Sequence, residues 1–173
     1  MSSSEIERTL VRLAHEIVEK NNGIKGLALV GIRRRGVPLA QRLAKLLQRI
    51  ERKEVPVGIL DISLYRDDLS TLGPKPLVQK GEIGVTVTGQ NIILVDDVLY
   101  TGRTVRAALE ALFAHGRPQR VQLCVLIDRG HRELPLEASY VGRMVQTADN
   151  EIIEVQLEEC DHSEKVMLLE KVL

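Results

Sequence analysis

The chain lacks charge of one sign. Lys and Arg together number 24 and Asp and Glu number 24, a formal net charge of zero. That argues against a dedicated nucleic-acid protein, which needs a basic field, although a local basic face stays open. It is also short of cysteine, with only Cys124 and Cys160, far apart in the chain. Neither a disulfide framework nor a zinc spacing can be built from them. Cys124 lies in an apolar run and reads as a buried thiol. No apolar stretch approaches the ~20 residues of a membrane span, and the polar start Met1-Ser2-Ser3-Ser4 does not resemble a secretory leader. A cytoplasmic protein with no membrane partner is the expectation. There is no internal repeat and no sign of a second domain, so residues 1–173 are read as one domain with a real core.

What is present alternates. Ser4 can cap a first helix carrying Ile6, Leu10, Leu13, Ala14, Ile17 and Val18 on one face, stopped by Asn21-Asn22-Gly23. Its other face carries Arg8, Arg12, His15 and Glu19, either a solvated face or a contact surface. Leu27–Ile32 is a continuous apolar run, as in a strand covered on both faces. Arg33-Arg34-Arg35-Gly36 follows and opens a helix with Leu39, Leu43, Leu46 and Leu47 on one side. Arginines and a glycine at a strand-to-helix junction suit an anion. Val55–Ile62 is a second apolar run. The stretch from there to Gln90, rich in glycine and proline, is expected to be a flexible, hairpin-like arm able to close over a site. Val121–Ile127 is another buried strand, and Ile152–Leu157 with Val166–Leu169 reads as a late antiparallel pair at the sheet edge.

The stretch Asn91–Thr104 organises the rest. The apolar run Ile92–Val95 ends in two adjacent carboxylates, Asp96 and Asp97, and then in the turn Thr101-Gly102-Arg103-Thr104, which starts a helix with Val105, Ala108, Leu109 and Leu112 inward. Carboxylates accept hydrogen bonds from sugar hydroxyls, and a helix start with threonines and a glycine donates to phosphate. The order β-α-β-arm-β-α-β predicts a parallel, doubly wound α/β core. In such sheets ligands sit at the carboxyl ends of the strands, which gathers Arg33–Gly36, Asp96-Asp97 and Asp128–Arg132 around one crevice.

The segment Val95–Thr104 resembles the phosphoribosyl-pyrophosphate (PRPP) motif of type I phosphoribosyltransferases. Leu60–Leu69, Arg34-Arg35-Gly36 and Asp128-Arg129-Gly130-His131-Arg132-Glu133-Leu134-Pro135 narrow the resemblance to regulators of pyrimidine operons that double as uracil phosphoribosyltransferases. It covers nearly the whole chain. The resemblance implies a type I phosphoribosyltransferase fold: a parallel doubly wound sheet flanked by helices, a flexible arm at about 66–90, and a small hood from about 128–150 with terminal segments. It implies the reaction of uracil with PRPP to give UMP and pyrophosphate, with Mg²⁺ as cofactor. Asp96 and Asp97 would take the ribose hydroxyls and help place the metal indirectly, with Arg66 in the arm as a third catalytic residue. Asp97 is the nearest candidate for a general base. Arg34, Arg35 and Gly36 would form the pyrophosphate loop; Val98, Leu99, Tyr100, Thr101, Gly102, Arg103 and Thr104 would hold the 5′-phosphate end. Asp128, Arg129, Gly130 and His131 would face uracil.

The same resemblance implies UMP- or UTP-dependent binding of a pyrimidine-operon leader mRNA and a homodimer or homotetramer. Arg12, His15, Arg132 and Arg143 are the candidate RNA residues. Here the chain departs from the family pattern: Val11 replaces a common threonine, Glu137 a common arginine, and Ala148-Asp149-Asn150 a Ser-Lys-Ser. Two of these changes make the RNA face less positive, and phosphate contacts are largely electrostatic. Two other readings fit the residues: a nucleotide- or RNA-sensing regulator with little catalysis, and a transferase for another base such as hypoxanthine or guanine.

Overall fold

In the computed structural model, residues 1–65 and 81–172 are described. Helix α1 (Ser3–Asn21) is followed by β1 (Leu27–Ile32), α2 (Gly36–Glu51), β2 (Val57–Leu60), β3 (Asn91–Leu99) and α3 (Arg103–Phe113). Then come β4 (Arg120–Asp128), β5 (Tyr140–Met144), β6 (Glu151–Gln156), the short α4 (Glu158–Asp161) and β7 (Lys165–Glu170). Five strands form a parallel sheet in the order β2-β1-β3-β4-β5.

Both faces of the sheet are covered, as the unbroken apolar runs require. On one face Ile6, Leu10 and Leu13 of α1 and Leu39, Leu43 and Leu47 of α2 pack onto Leu29, Ile93 and Val95. On the other, Val105, Ala108 and Leu112 of α3 meet Val30, Ile92 and Leu94. Helices on opposite faces make the sheet doubly wound, as the element order demands.

Several local expectations are corrected. The cap of α1 is Ser2, not Ser4: the Ser2 hydroxyl accepts the Glu5 N–H at 3.3 Å, and α1 starts at Ser3. The late strand pair is antiparallel but is a separate two-stranded sheet, β6-β7. The edge position it was expected to take belongs to β5, which pairs with β4 from Cys124↔Tyr140 to Asp128↔Met144. Strand β5 escapes pattern reading because it is five residues long and interrupted by Gly142 and Arg143. The stretch Gly81–Thr88, expected to be part of a hairpin, contains no strand. Ile83 and Val87 are buried instead, and the Ile59 N–H donates to the Ile83 carbonyl at 2.9 Å. Arg66 and the rest of 66–80 lie outside the described residues.

The sheet's strand lengths make the site. Strand β1 pairs with β3 only as far as Gly31↔Val95, whereas β3 continues beside β4 to Leu99↔Asp128. Beyond Val95, β3 has lost one neighbour. The gap opens at its carboxyl end, where Asp96 and Asp97 sit.

Candidate active site

The acidic pair does not end a strand, as the sequence suggested; it lies within β3. Asp96 is buried and Asp97 half-buried. The Asp97 N–H donates to the Asp96 carboxylate at 2.9 Å, and the Val98 N–H to the Asp97 carboxylate at 2.8 Å. Burial first, and the neighbouring Asp97 charge second, push the Asp96 carboxyl well above the usual carboxylate range. Among the described residues no cation is bonded to this buried carboxyl, an environment typical of functional sites.

Both carboxylates line a cleft of about 430 Å³ together with Arg33, Arg34, Arg35 and Thr104. Two helix starts flank it. On one side is α2, whose first residue Gly36 packs so tightly that a Cβ there would overlap the Val95 carbonyl oxygen. That close approach brings the arginine junction against the acidic strand. The Arg33–Arg34 peptide bond is cis. On the other side is α3, preceded at its N-cap by Gly102 with φ of 94°, a conformation that favours glycine. The first turn of α3 holds no acidic residue. The Thr101 hydroxyl accepts the Arg103 N–H at 3.2 Å, and Arg106 is the first residue to bond back, to the Gly102 carbonyl at 2.9 Å. The Thr104 and Val105 N–H groups are left at the positive end of the helix dipole. Two anion-friendly helix ends therefore face one acidic pair.

The loop after β4 packs against the turn before α3, where the Glu133 and Leu134 N–H groups donate to the Thr101 carbonyl at 2.9 and 3.1 Å. Asp128 is buried, and its carboxylate accepts the Gly130 N–H at 3.0 Å and Arg132 Nη2 at 2.8 Å. Arg132 also donates to the Tyr100 carbonyl at 2.7 Å and the Leu136 carbonyl at 2.8 Å. Its guanidinium thus knits the loop to the end of β3. Arg129 is buried; it donates to the Thr147 hydroxyl at 3.2 Å and the Glu151 carbonyl at 2.9 Å, and its guanidinium carbon lies 3.9 Å from the Tyr100 ring centre. The His131 ring meets the Tyr100 ring edge-on at 6.0 Å, and its Nε2 bonds the Thr147 carbonyl. Tyr100, Arg129 and His131 form one packed unit, with Arg129 over the face of the Tyr100 ring and His131 edge-on to it; none of the three is among the residues that line the cleft.

The candidate RNA residues divide. Arg12 and His15 of α1 and Arg143 of β5 share the α1–β5 side, and all three are exposed. Arg12 bonds Glu16 at 2.6 Å and donates to the Val141 and Gly142 carbonyls of the edge strand; Arg143 lies 3.5 Å from Glu5. Arg132 belongs to the loop after β4. Arg33, read from sequence as part of the anion-binding junction, lines the cleft, and so does Asp61, to which sequence reading gave no role. The signal for Asp61 was its place at the carboxyl end of β2. Cys124 is buried as expected, and burial pushes its thiol up to about 12. Among the described residues, no group of three or more His, Cys, Asp or Glu side chains is placed to hold a metal ion, and no helix is long and apolar enough to cross a membrane.

Comparison with known proteins gives a consistent answer. Residues 2–160 match the family model of the phosphoribosyl transferase domain. The protein is 57% identical over 171 residues to "Bifunctional protein PyrR" of Thermoanaerobacter sp. (strain X514), covering 99% of this chain and 96% of that one. It is 57% identical to the protein of the same name from Thermus aquaticus, covering 99% and 94%. Among solved structures, a hypoxanthine-guanine phosphoribosyltransferase of Bacillus anthracis superimposes with a TM-score of 0.69 at 22% identity, covering 99% and 96% of the two chains. A hypoxanthine phosphoribosyltransferase of Trypanosoma cruzi superimposes with a TM-score of 0.75 at 19% identity, covering 97% and 92%. At those identities the structures share the fold.

Proposed function

Because this chain belongs to the phosphoribosyl transferase domain family, and within it to the family of the bifunctional PyrR proteins, we propose that its cleft binds PRPP and transfers the phosphoribosyl group to uracil. The products are UMP and pyrophosphate. One observation carries the reading: the Asp96-Asp97 pair lies between two helix starts free of acidic residues, in one cleft rimmed by arginine.

Each part has a physical task. Asp96 and Asp97 accept hydrogen bonds from the ribose hydroxyls, in addition to the backbone N–H that each already accepts. The first turn of α3, with the Thr101 and Thr104 hydroxyls, takes the 5′-phosphate. The β1–α2 junction takes the diphosphate, with Arg33 added to Arg34 and Arg35. Displacement at the anomeric carbon develops oxocarbenium character, so charge placement matters more than a strong nucleophile. The carboxylates beneath the ribose carry the sign that favours such a cation. The unit of Tyr100, Arg129 and His131 is assigned to the base by the family resemblance of the Asp128–His131 loop.

Mg²⁺ fits this site only in company with substrate. Oxygen donors are available in Asp96 and Asp97, but there is no metal cage among the described residues. A Mg²⁺ that keeps waters and leans on substrate phosphates matches that donor set. Bound there, it would neutralise charge on the leaving diphosphate.

The bifunctional family is the reason to propose a second role, UMP- or UTP-dependent binding of a pyrimidine-operon leader mRNA through the α1–β5 face. There His15 and Arg143 join Arg12. Turnover on a panel of bases tests the first role. Supplied with PRPP and magnesium, the protein should consume uracil and leave hypoxanthine and guanine. Turnover of a purine base with none of uracil would assign the site to purines. A UMP-dependent mobility shift of a leader transcript is the matching readout for RNA, and its absence at low salt would remove that role.

A further inference from the structure

The arginines of the β1–α2 junction are not left to the cleft alone. They are gripped from behind by the carboxyl-terminal hairpin β6-α4-β7. Arg35 Nε and Nη2 donate to the two carboxylate oxygens of Asp161 at 3.1 and 2.8 Å. Arg34 Nη2 donates to the Cys160 carbonyl at 2.8 Å. The Asp161 carboxylate also accepts the Leu157 N–H at 2.8 Å, which locks its own orientation. Leu157 is fully buried, and Arg42 of α2 makes two-point bridges to Glu159 and Glu164. The segment that holds the arginines is thus itself pinned to α2.

We propose that Asp161 is a positioning residue for diphosphate binding: it fixes the guanidinium of Arg35 so that the edge left over faces the cleft. This rests on the reading of the cleft as a PRPP site. A guanidinium has five N–H donors in a rigid fork. Asp161 takes the Nε–Nη2 edge; Nη1 remains, and Arg35 still lines the cleft. A long side chain that would otherwise sample many rotamers is ordered before the ligand arrives, and that preorganisation is what tightens binding. Simple electrostatics predicts the reverse, because a carboxylate beside an anion site repels the anion. The two accounts differ in sign, so one measurement separates them.

The test is calorimetric titration of the full chain with magnesium pyrophosphate and, separately, PRPP. Asp161→Asn keeps the size and one acceptor oxygen for the Leu157 N–H but loses the charge and the two-point bridge. Positioning predicts a Kd about tenfold weaker for pyrophosphate, although a negative charge has been removed. The KM for PRPP should rise with kcat held. Arg35→Lys, which keeps the charge but cannot make the two-point bridge, should lose a similar factor. The double variant should lose little more, because the two residues act as a unit. Thermal midpoints show which variants are folded; if Asp161→Asn is not, Arg35→Lys carries the test. Unchanged or tighter binding in a folded Asp161→Asn, or unchanged binding in Arg35→Lys, overturns the inference. If the wild type binds neither pyrophosphate nor PRPP, the reading of the cleft falls and the inference falls with it. Wild-type binding with unaffected variants sinks the inference alone.

Discussion

Asp96 is the residue where stability and function pull apart. Its folded-state pKa is raised above that of the unfolded chain, by burial first and Asp97 second. The folded state therefore prefers the protonated form. The group's cost to the fold is largest above the raised value and disappears as pH falls toward 3.8, the ordinary value of the group. Asp96→Asn keeps an acceptor for the Asp97 N–H and removes the buried charge. We expect that variant to be more stable at pH 7 by on the order of 1 kcal/mol, a gain that shrinks on acidification. A lower urea midpoint for Asp96→Asn at pH 7 would contradict this. Cys124, likewise buried, has no such tension, because its thiol is simply kept neutral.

At this scale the sequence was legible where unlike residues stand side by side. Two carboxylates against an apolar run, then a Thr-Gly-x-Thr turn, stand out without coordinates. Asp161 was not legible, because its partner Arg35 is 126 positions away. Nor did sequence separate Arg33 from Arg34 and Arg35, which line the cleft with it but are also held from behind.

Among elements, the carboxyl-terminal hairpin is the one whose role changed most. Its antiparallel pairing was readable from the apolar residues; its place was not. Only Val155, Leu157 and Val166 of it are deeply buried, all against the α1–α2 face. Too few inward side chains give no alternation strong enough to say which neighbour they meet. Strand β5 was missed for a related reason, and it brings a burden that α1 meets. Edge strands expose carbonyls that invite pairing with other chains. Arg12 covers those of Val141 and Gly142, and Lys20 that of Ser139 at 2.7 Å. Loss of RNA binding on replacing Arg12 would therefore need a stability control, which His15 does not.

The hairpin also carries a pH signature. The hydrogen bonds from Arg35, then that from the Leu157 N–H, hold the Asp161 carboxyl down at about 2, below its ordinary 3.8. A depressed carboxylate stabilises the fold fully above the unfolded value and loses that contribution as pH falls through the folded one. The urea midpoint of wild type should exceed that of Asp161→Asn by a constant margin above about pH 5. The margin should close as pH falls from about 4 toward 2. A margin that does not depend on pH would mean the carboxylate charge plays no part.

For the whole molecule, the parallel α/β architecture follows from alternating apolar runs and helices, and sequence order was enough to place the three polar loops at one end of the sheet. What sequence could not supply is the reason the cleft opens where it does. That depends on β1 stopping at Ile32 while β3 runs on to Leu99, a matter of relative strand length and register. The zero net charge has its own consequence at this scale: phosphate recognition must be local, built from helix ends and a few arginines.

The central claim is that Asp96 and Asp97, between the starts of α2 and α3, form the floor on which PRPP rests. Calorimetric titration of PRPP with magnesium into wild type and Asp96→Asn tests it most directly, with thermal midpoints taken on the same samples. The account predicts saturable binding by wild type and a loss of at least about tenfold in Asp96→Asn, in a protein at least as heat-stable as wild type. Equal PRPP affinity in the two, with both folded, would contradict it.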